Sequence, residues 1–382
     1  MKCFGVMSAR LRQCVREQPD TGYRKNRRAY ILPAPDFGDR RVVVRGGGFL
    51  WIFWGCVWGG SLLYFCVYKK QWKYKRMCLD RDRGWWSMDR MQLRALAKIN
   101  LGLDVLRKRE DGYHEVRMIM QTVHIFDQLQ LEKRQEKGIR VRTNLYYLPE
   151  NENNLVFKAA KLLWDEFGLP GGISIQLKKY IPVAAGMAGG SSDAAAVLFG
   201  MNRMYDLGLS IEELMVRGVR IGADVPYCIM RGTALAEGIG EILNPLPPMP
   251  PCTILVAKPG IGVSTRFVFE NLKANELERH PDIDGMVEAL KKQDLKGLAG
   301  FMEAGNVLET VTIPAYPVIR RIKETMLRAG ALGALMSGSG PTVFGIFDSR
   351  QAAKRAYGIL KRGHLAKQIF LTTPYNNRQG GV

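Results

Sequence analysis

The sequence predicts an α+β fold in two domains, preceded by an unrelated N-terminal piece. Three observations predict it. Strand-like and helix-like patterns are intermixed from Met91 onward. The segment Asn244 to Pro251 carries five prolines in eight residues and reads as a seam between domains. Residue usage also breaks near residue 90. Residues 1–90 hold 19 Lys+Arg against 7 Asp+Glu, whereas the remainder hold 37 against 29. Six of the seven Trp and five of the seven Cys lie before the break, and all four His lie after it. The expected division is therefore 1–90, 91–250 and 251–376.

At 382 residues, with 47% hydrophobic and 24% charged, the chain is neither disordered, collagenous nor a small disulfide scaffold. The net charge of +20 does not point to nucleic acid. Most of the excess belongs to the front piece, and no recognition motif accompanies it. Phe49 to Tyr68 is a run of twenty residues without a charge, long enough as a helix to span a bilayer core of about 30 Å. The heavier basic flank, Lys69 to Arg76, follows the run and would leave the rest of the chain cytoplasmic. The other reading is a translation start placed too early. Met88 and Met91 offer later starts, and read-through nucleotides would give this Trp, Cys and Arg excess.

From Met91 the elements follow in order. Leu129 and Leu131 alternate with polar residues, and Ile173, Ile175 and Leu177 do so over a full strand. Ala194 to Tyr205 is helical in composition. Ser210 and Glu213 form a capping box that opens the next helix. Beyond the proline seam, Thr253 to Ala257 reads as a buried strand. Val318 to Arg328 reads as a helix, followed by a glycine-rich turn and the strand Val343 to Phe347. Only Cys228 and Cys252 lie in this body, which suits a reducing, cytoplasmic compartment.

Chemistry is most visible in Pro182-Val183-Ala184-Ala185-Gly186-Met187-Ala188-Gly189-Gly190-Ser191-Ser192, which runs on through Asp193 into an alanine run. Small residues let backbone approach a ligand, and free amides at a helix start favour phosphate. Ser191 and Ser192 add hydroxyls for phosphate oxygens or magnesium. No Gly-Lys-Ser/Thr, Gly-x-Gly-x-x-Gly, His-Glu-x-x-His or Gly-x-Ser-x-Gly occurs, so the common phosphate, dinucleotide, zinc and hydrolase signatures are absent. His124, His280 and His364 have no partners at metal spacing and read as structural.

This loop resembles the second motif of the GHMP kinases. Three further stretches, in the family's order, extend the resemblance from about Met91 to Tyr375. They are Ala97-Lys98-Ile99-Asn100-Leu101 with Asp111-Gly112-Tyr113-His114, then Gly222-Ala223-Asp224-Val225-Pro226, then Met336-Ser337-Gly338-Ser339-Gly340-Pro341. The resemblance implies the two-domain GHMP kinase fold with its active site in the cleft between domains, and ATP with magnesium as cofactors. It implies Lys98 and Asp224 as the catalytic pair, Pro182 to Ser192 with Asn154 on ATP, and Asn100, Tyr113 and His114 on the second substrate. The Met187-Ala188 pair stands where many members carry Leu-Gly. Residues 1–90 have no counterpart in the family.

The Asp-Gly-Tyr-His stretch points to members that phosphorylate the 2-hydroxyl of a cytidine diphosphate-linked methylerythritol in isoprenoid precursor synthesis. A mevalonate or homoserine kinase is the alternative within the family. A membrane-tethered protein using the fold only for binding is the alternative outside it, and the presence of both Lys98 and Asp224 argues against that one. A monomer or homodimer is expected, without nucleic acid.

Overall fold

The computed structural model describes residues 89–376 in full. It also describes the backbone of four strands before them, β1 (Arg28–Ile31), β2 (Arg40–Gly46), β3 (Phe49–Trp58) and β4 (Ser61–Cys66). The chain forms two compact units, Met1–Trp85 and Trp86–Val382.

In the first unit the four strands make one antiparallel sheet in sequence order. This corrects the expected twenty-residue span. Trp58 pairs with Ser61, so only Gly59 and Gly60 intervene between two strands. The aromatic and β-branched residues of both segments favour strands. Residues 59, 60, 67 and 68 of that run lie outside the described residues. Among the described residues no helix is long and apolar enough to cross a membrane.

The second unit begins with a long hairpin, β5 (Arg90–Lys108) and β6 (His114–Arg134). β6 runs down the middle of a six-stranded sheet. Along one edge it pairs with β5. Along the other it pairs at one end with β8 (Gly172–Lys178), beyond which lies the parallel strand β7 (Gly138–Thr143). At its other end it pairs with β9 (Thr233–Glu237), which is flanked by β10 (Ile242–Pro245). Residues 95–105 of β5 are buried without interruption. Such a strand shows no alternation, so a period-two pattern cannot announce it.

Helix α1 (Leu155–Phe167) and helix α2 (Gly189–Met204) pack on this sheet, with Ala159, Ala160, Ala194, Ala195 and Leu198 in the shared core. α2 starts at Gly189, five residues before the alanine run that predicts it, so the glycine loop is itself the first turn. Helix α3 (Ile211–Val219) opens on Ser210 and Glu213 with both capping-box bonds present. Helix α4 (Val225–Met230) follows, with Pro226 in its first turn.

The remaining residues build a second, antiparallel sheet in the order β12 (Gly333–Met336), β13 (Val343–Phe347), β11 (Thr253–Lys258), β14 (Gln368–Thr372). Helix α5 (Thr265–Asn271) follows β11, and α6 (Ile283–Lys291), α7 (Leu295–Gly300) and α8 (Glu309–Ala315) come next. Two helices, α9 (Val318–Arg328) and α10 (Arg350–Arg362), bury Ile319, Ile322, Ala353 and Leu360 in the core. α9, β11 and β13 lie where the sequence places them. The architecture is the α+β arrangement expected.

Candidate active site

Lys98 lies on β5 between Ala97 and Ile99, which are wholly buried, and is itself 5% exposed. A buried ammonium needs partners. Its Nζ donates to Asn100 Oδ1 at 2.8 Å and stands 3.9 Å from Asp224 Oδ1. Lys98 and Asn100 share one face because strand side chains alternate. Register shifts at Leu96/Lys98 and Asn100/Gly102 bracket the two residues, and bulges of this kind re-aim side chains at sites. Asp224 occupies the N-cap position of α4 but makes no capping hydrogen bond there. Its side chain is 34% exposed. The carboxylate is thus held beside the lysine and left open to a ligand.

The glycine loop reaches this pair through backbone contacts. Lys98 N donates to Met187 O at 3.2 Å. Gly186 has φ +70°, and a Cβ there would lie 2.1 Å from Ser337 O. Only glycine satisfies both conditions. Ser337 Oγ donates to Gly186 O at 2.8 Å and accepts from Asn100 N at 3.3 Å. The first, second and last sequence motifs are therefore joined at one seam. Asn306 Nδ2 braces the last of them by donating to Met336 O and Gly338 O at 2.8 and 2.9 Å.

Ala188 caps α2 in the left-handed region at φ +52°. The first α2 hydrogen bond runs from Ser192 N to Ala188 O, so the amides of Gly189, Gly190 and Ser191 have no partner within the helix. Ser192 departs from expectation. It is 3% exposed, and its hydroxyl donates to Leu96 O at 2.6 Å, so it ties α2 to β5 and does not face a ligand. Ser191 is half-buried and is the serine left to present a hydroxyl. Asn154 caps α1: its Oδ1 accepts from Val156 N at 2.9 Å and its Nδ2 donates to Pro149 O at 2.7 Å. The next residue, Leu155, reaches within 3.3 Å of where a Gly190 Cβ would lie, so this helix start adjoins the loop.

Tyr113 and His114 sit at the far end of the β5–β6 hairpin. Tyr113 is 61% exposed. The His114 ring stands 5.0 Å from that of Phe269, tilted 42°. Burial, and then the charge of Lys108, holds the imidazole below its ordinary pKa, which favours a neutral ring near pH 7. Phe269 carries no motif signal. The structure identifies it by bringing α5, capped by Ser264, against the hairpin. Thr265 Oγ1 and Ser339 Oγ, 2.8 Å apart, link α5 to the last motif.

A second lysine cluster underlies the loop and also escapes the sequence reading. Lys179 bonds both Asp127 and, at 2.7 Å, Asp193; all three side chains are at most 4% exposed. A Cβ on Gly189 would lie 3.0 Å from Lys179 Nζ. Among the described residues no group of three or more His, Cys, Asp or Glu could hold a metal ion. Elsewhere His280 pairs with Asp104 at 2.8 Å and His124 packs edge-on to Tyr375.

The arrangement is a carboxylate and an ammonium beside a bed of free amides, with an aromatic pair at a distance along the same hairpin. Comparison with known proteins gives it context. The profile of the GHMP kinases N terminal domain matches residues 154–232, and that of the GHMP kinases C terminal matches residues 286–365. The 4-diphosphocytidyl-2-C-methyl-D-erythritol kinase of Lachnoclostridium phytofermentans is 55% identical over 291 residues, covering 76% of this chain and 99% of that protein. The enzyme of the same name from Clostridium perfringens is 48% identical over 287 residues, covering 75% and 99%. Among solved structures, a 4-(cytidine 5'-diphospho)-2C-methyl-D-erythritol kinase superposes with a TM-score of 0.64 at 32% identity, over 75% of this chain and all of that one. A homoserine kinase from Cytophaga hutchinsonii, at 22% identity and TM-score 0.63, shares the fold.

Proposed function

The chain belongs to the 4-diphosphocytidyl-2-C-methyl-D-erythritol kinases of the GHMP kinase family, and on that premise we propose which of its residues carry the reaction and how. The enzyme moves the γ-phosphoryl group of ATP onto the 2-hydroxyl of 4-diphosphocytidyl-2-C-methyl-D-erythritol, giving the 2-phosphate and ADP. The observation that carries the residue assignment is the approach of Lys98 Nζ to Asp224 Oδ1, 126 residues away in sequence, at 3.9 Å.

Phosphoryl transfer asks a protein mainly for position and for positive charge near the moving group. The accepting hydroxyl is tertiary and a poor nucleophile while protonated. Asp224 is the base that takes its proton as the new bond to phosphorus forms. Lys98 is anchored by Asn100 Oδ1 and has further N–H groups for the carboxylate and a phosphoryl oxygen. The amides of Gly189, Gly190 and Ser191 receive the ATP phosphates, with the alanines and glycine within Pro182 to Ala188 giving them room. Asn154 shapes the nucleotide end by fixing the start of α1. Tyr113, His114 and Phe269 receive the cytosine, with a neutral His114 suited to a base edge.

Magnesium accompanies ATP in this reading. The half-buried Ser191 hydroxyl lies 4.0 Å from where a Gly222 Cβ would be, on the side of the Asp224 turn. These oxygens suit a hard cation that takes most of its ligands from phosphates and water. Bound there, magnesium would supply charge neutralisation for the triphosphate. We place the reaction in the cytoplasm, because the body's two cysteines are free thiols.

The test is ADP release by the full chain with 4-diphosphocytidyl-2-C-methyl-D-erythritol, mevalonate and homoserine in parallel. The expected result is turnover with the first alone. Turnover with either of the others would overturn the substrate assignment.

A further inference from the structure

The proposed chemistry has no use for Glu309, yet this carboxylate is buried at the start of α8 and paired with the half-buried Lys323 of α9. Lys323 Nζ donates to Glu309 Oε2 at 2.5 Å, and Glu309 Oε1 accepts from Met336 N at 2.8 Å. Apolar residues of similar volume commonly replace such a pair without loss of stability. Folding energy alone therefore does not account for a glutamate here.

Its place in the sheet does. β12 is an edge strand of the second sheet and pairs with β13. Ser337 N donates inward to Thr342 O at 2.9 Å. Hydrogen-bonding direction alternates along an antiparallel strand, so the N–H and C=O of Met336 point outward, off the edge. Met336 is wholly buried, and buried main-chain groups left unpaired are costly. Glu309 takes the N–H. Asn306 Nδ2 takes the C=O and also reaches Gly338 O. Thr312 Oγ1 continues the series to Ser339 O at 3.4 Å. Residues 306, 309 and 312 recur at a spacing of three, and Glu309 N bonds Asn306 O at 3.1 Å, so they share one face of the turn that leads into α8. That face takes the part of a neighbouring strand.

The same turn is tied to β5, the strand that carries Lys98 and Asn100. Leu103 N donates to Gly305 O at 2.8 Å, and Leu103 O accepts from Val307 N at 3.1 Å. Ser337 closes the circuit, with its Oγ bonded to Gly186 O and to Asn100 N. Asn100 in turn anchors Lys98 Nζ. A shift of the Met336 peptide would therefore move the anchor of Lys98 and the glycine loop together.

We propose that Glu309, with Asn306, is a positioning residue for phosphoryl transfer: the two side chains stand in for the strand that β12 lacks, and so fix Ser337, which sets the glycine loop against Lys98. Glu309 acts through Ser337 and touches none of the reacting groups. Lys323 has a different task. Burial pushes the Glu309 carboxyl upward, and the Lys323 ammonium opposes that push. A carboxyl accepts from Met336 N with or without its proton, so Lys323 serves stability and Glu309 serves geometry.

The turnover part of this inference rests on the kinase reading; the coupling part does not, and native-state hydrogen exchange of the ligand-free full chain, followed by NMR, reads it without substrate. In wild type the amides of Met336 and Asn100 should exchange with one common dependence on urea, as members of one opening unit. Lys323→Met leaves the Glu309 acceptor in place. It should lower the urea midpoint and leave kcat per folded molecule at the wild-type value. Glu309→Leu combined with Lys323→Met removes the acceptor and keeps the bulk. This double variant should recover the urea midpoint relative to Lys323→Met and speed exchange at Asn100. Its kcat should fall about 10- to 100-fold, the scale of a misplacement of about 1 Å, with KM for the cytidine substrate unchanged. Asn306→Ala, which keeps the ion pair, should give the same kcat loss. Independent exchange of Met336 and Asn100 in wild type would overturn the coupling with no variant required. Wild-type kcat in the double variant, or an equal loss in Lys323→Met alone, would overturn the positioning role.

Discussion

Two buried lysines beside the glycine loop meet carboxylates, and the contrast between them separates the proposed working pair from a fixed one. Lys98 approaches Asp224 to only 3.9 Å, and the carboxylate is 34% exposed with no capping bond. Lys179 holds its two carboxylates in direct hydrogen bonds, with all three side chains out of water. The group proposed to take up the substrate's proton is left loosely held and open. The lysine that underlies the loop is instead bonded directly to both of its carboxylates. Both lysines stand beside the same glycine loop, so burial of a lysine does not by itself mark catalysis.

The contrast can be broken by experiment, most strongly at the loose pair. Asp224→Asn should lower kcat by about 10²- to 10⁴-fold, the range for a general base. ATP affinity and melting temperature should stay close to wild type, as calorimetry and a thermal melt would show. A large loss of stability would mean that the pair is structural after all. Lys179→Met should do the reverse. It strands a buried carboxylate and should cost about 3–5 kcal/mol of folding free energy, read by urea denaturation. A milder effect when Asp127→Asn is added would confirm that the stranded charge, not lost packing, is the cause.

A smaller effect is expected at the aromatic arm, to which we assign the cytidine end of the substrate. Phe269→Ala should raise KM for the cytidine substrate roughly 2- to 10-fold, as expected for one aromatic pair, and leave KM for ATP unchanged. The smallest effect concerns Ala188. Its φ of +52° is a conformation that disfavours a Cβ by roughly 1–2 kcal/mol. Glycine relieves that strain but adds about 0.5–1 kcal/mol of unfolded-chain entropy. Ala188→Gly should therefore shift stability by less than about 1 kcal/mol, measured by thermal melt. This is why alanine is tolerated at a left-handed position.

Much of the working pair is legible in the sequence. Lys98 is set among apolar residues, Asp224 precedes Val-Pro, and the glycine loop announces itself by composition. The fixed cluster is not legible. Lys178 and Lys179 are adjacent and identical in type, yet one is exposed and the other buried. Burial alternates on through Leu177, Lys178, Lys179 and Tyr180, but a lysine supplies no hydrophobic signal by which the sequence could extend the pattern. Asp127 reaches Lys179 across 52 residues of chain, a pairing fixed by strand register that no local pattern encodes. The long β5–β6 hairpin is obscured because β5 is buried on both faces. The start of α2 is obscured because glycines favour helices poorly. Length alone suggests a single span over Phe49 to Tyr68, whereas Phe49–Trp58 and Ser61–Cys66 are separate strands.

One contact carries a practical consequence for anyone designing an inhibitor. The carbonyl of Ser337 fills the space where residue 186 would need any side chain. A compound that binds the main chain across that junction would meet a surface that point mutation cannot reshape while the junction stays closed. Drug resistance would then have to arise elsewhere, at the aromatic arm or the outer rim of the nucleotide bed, where side chains are free to vary.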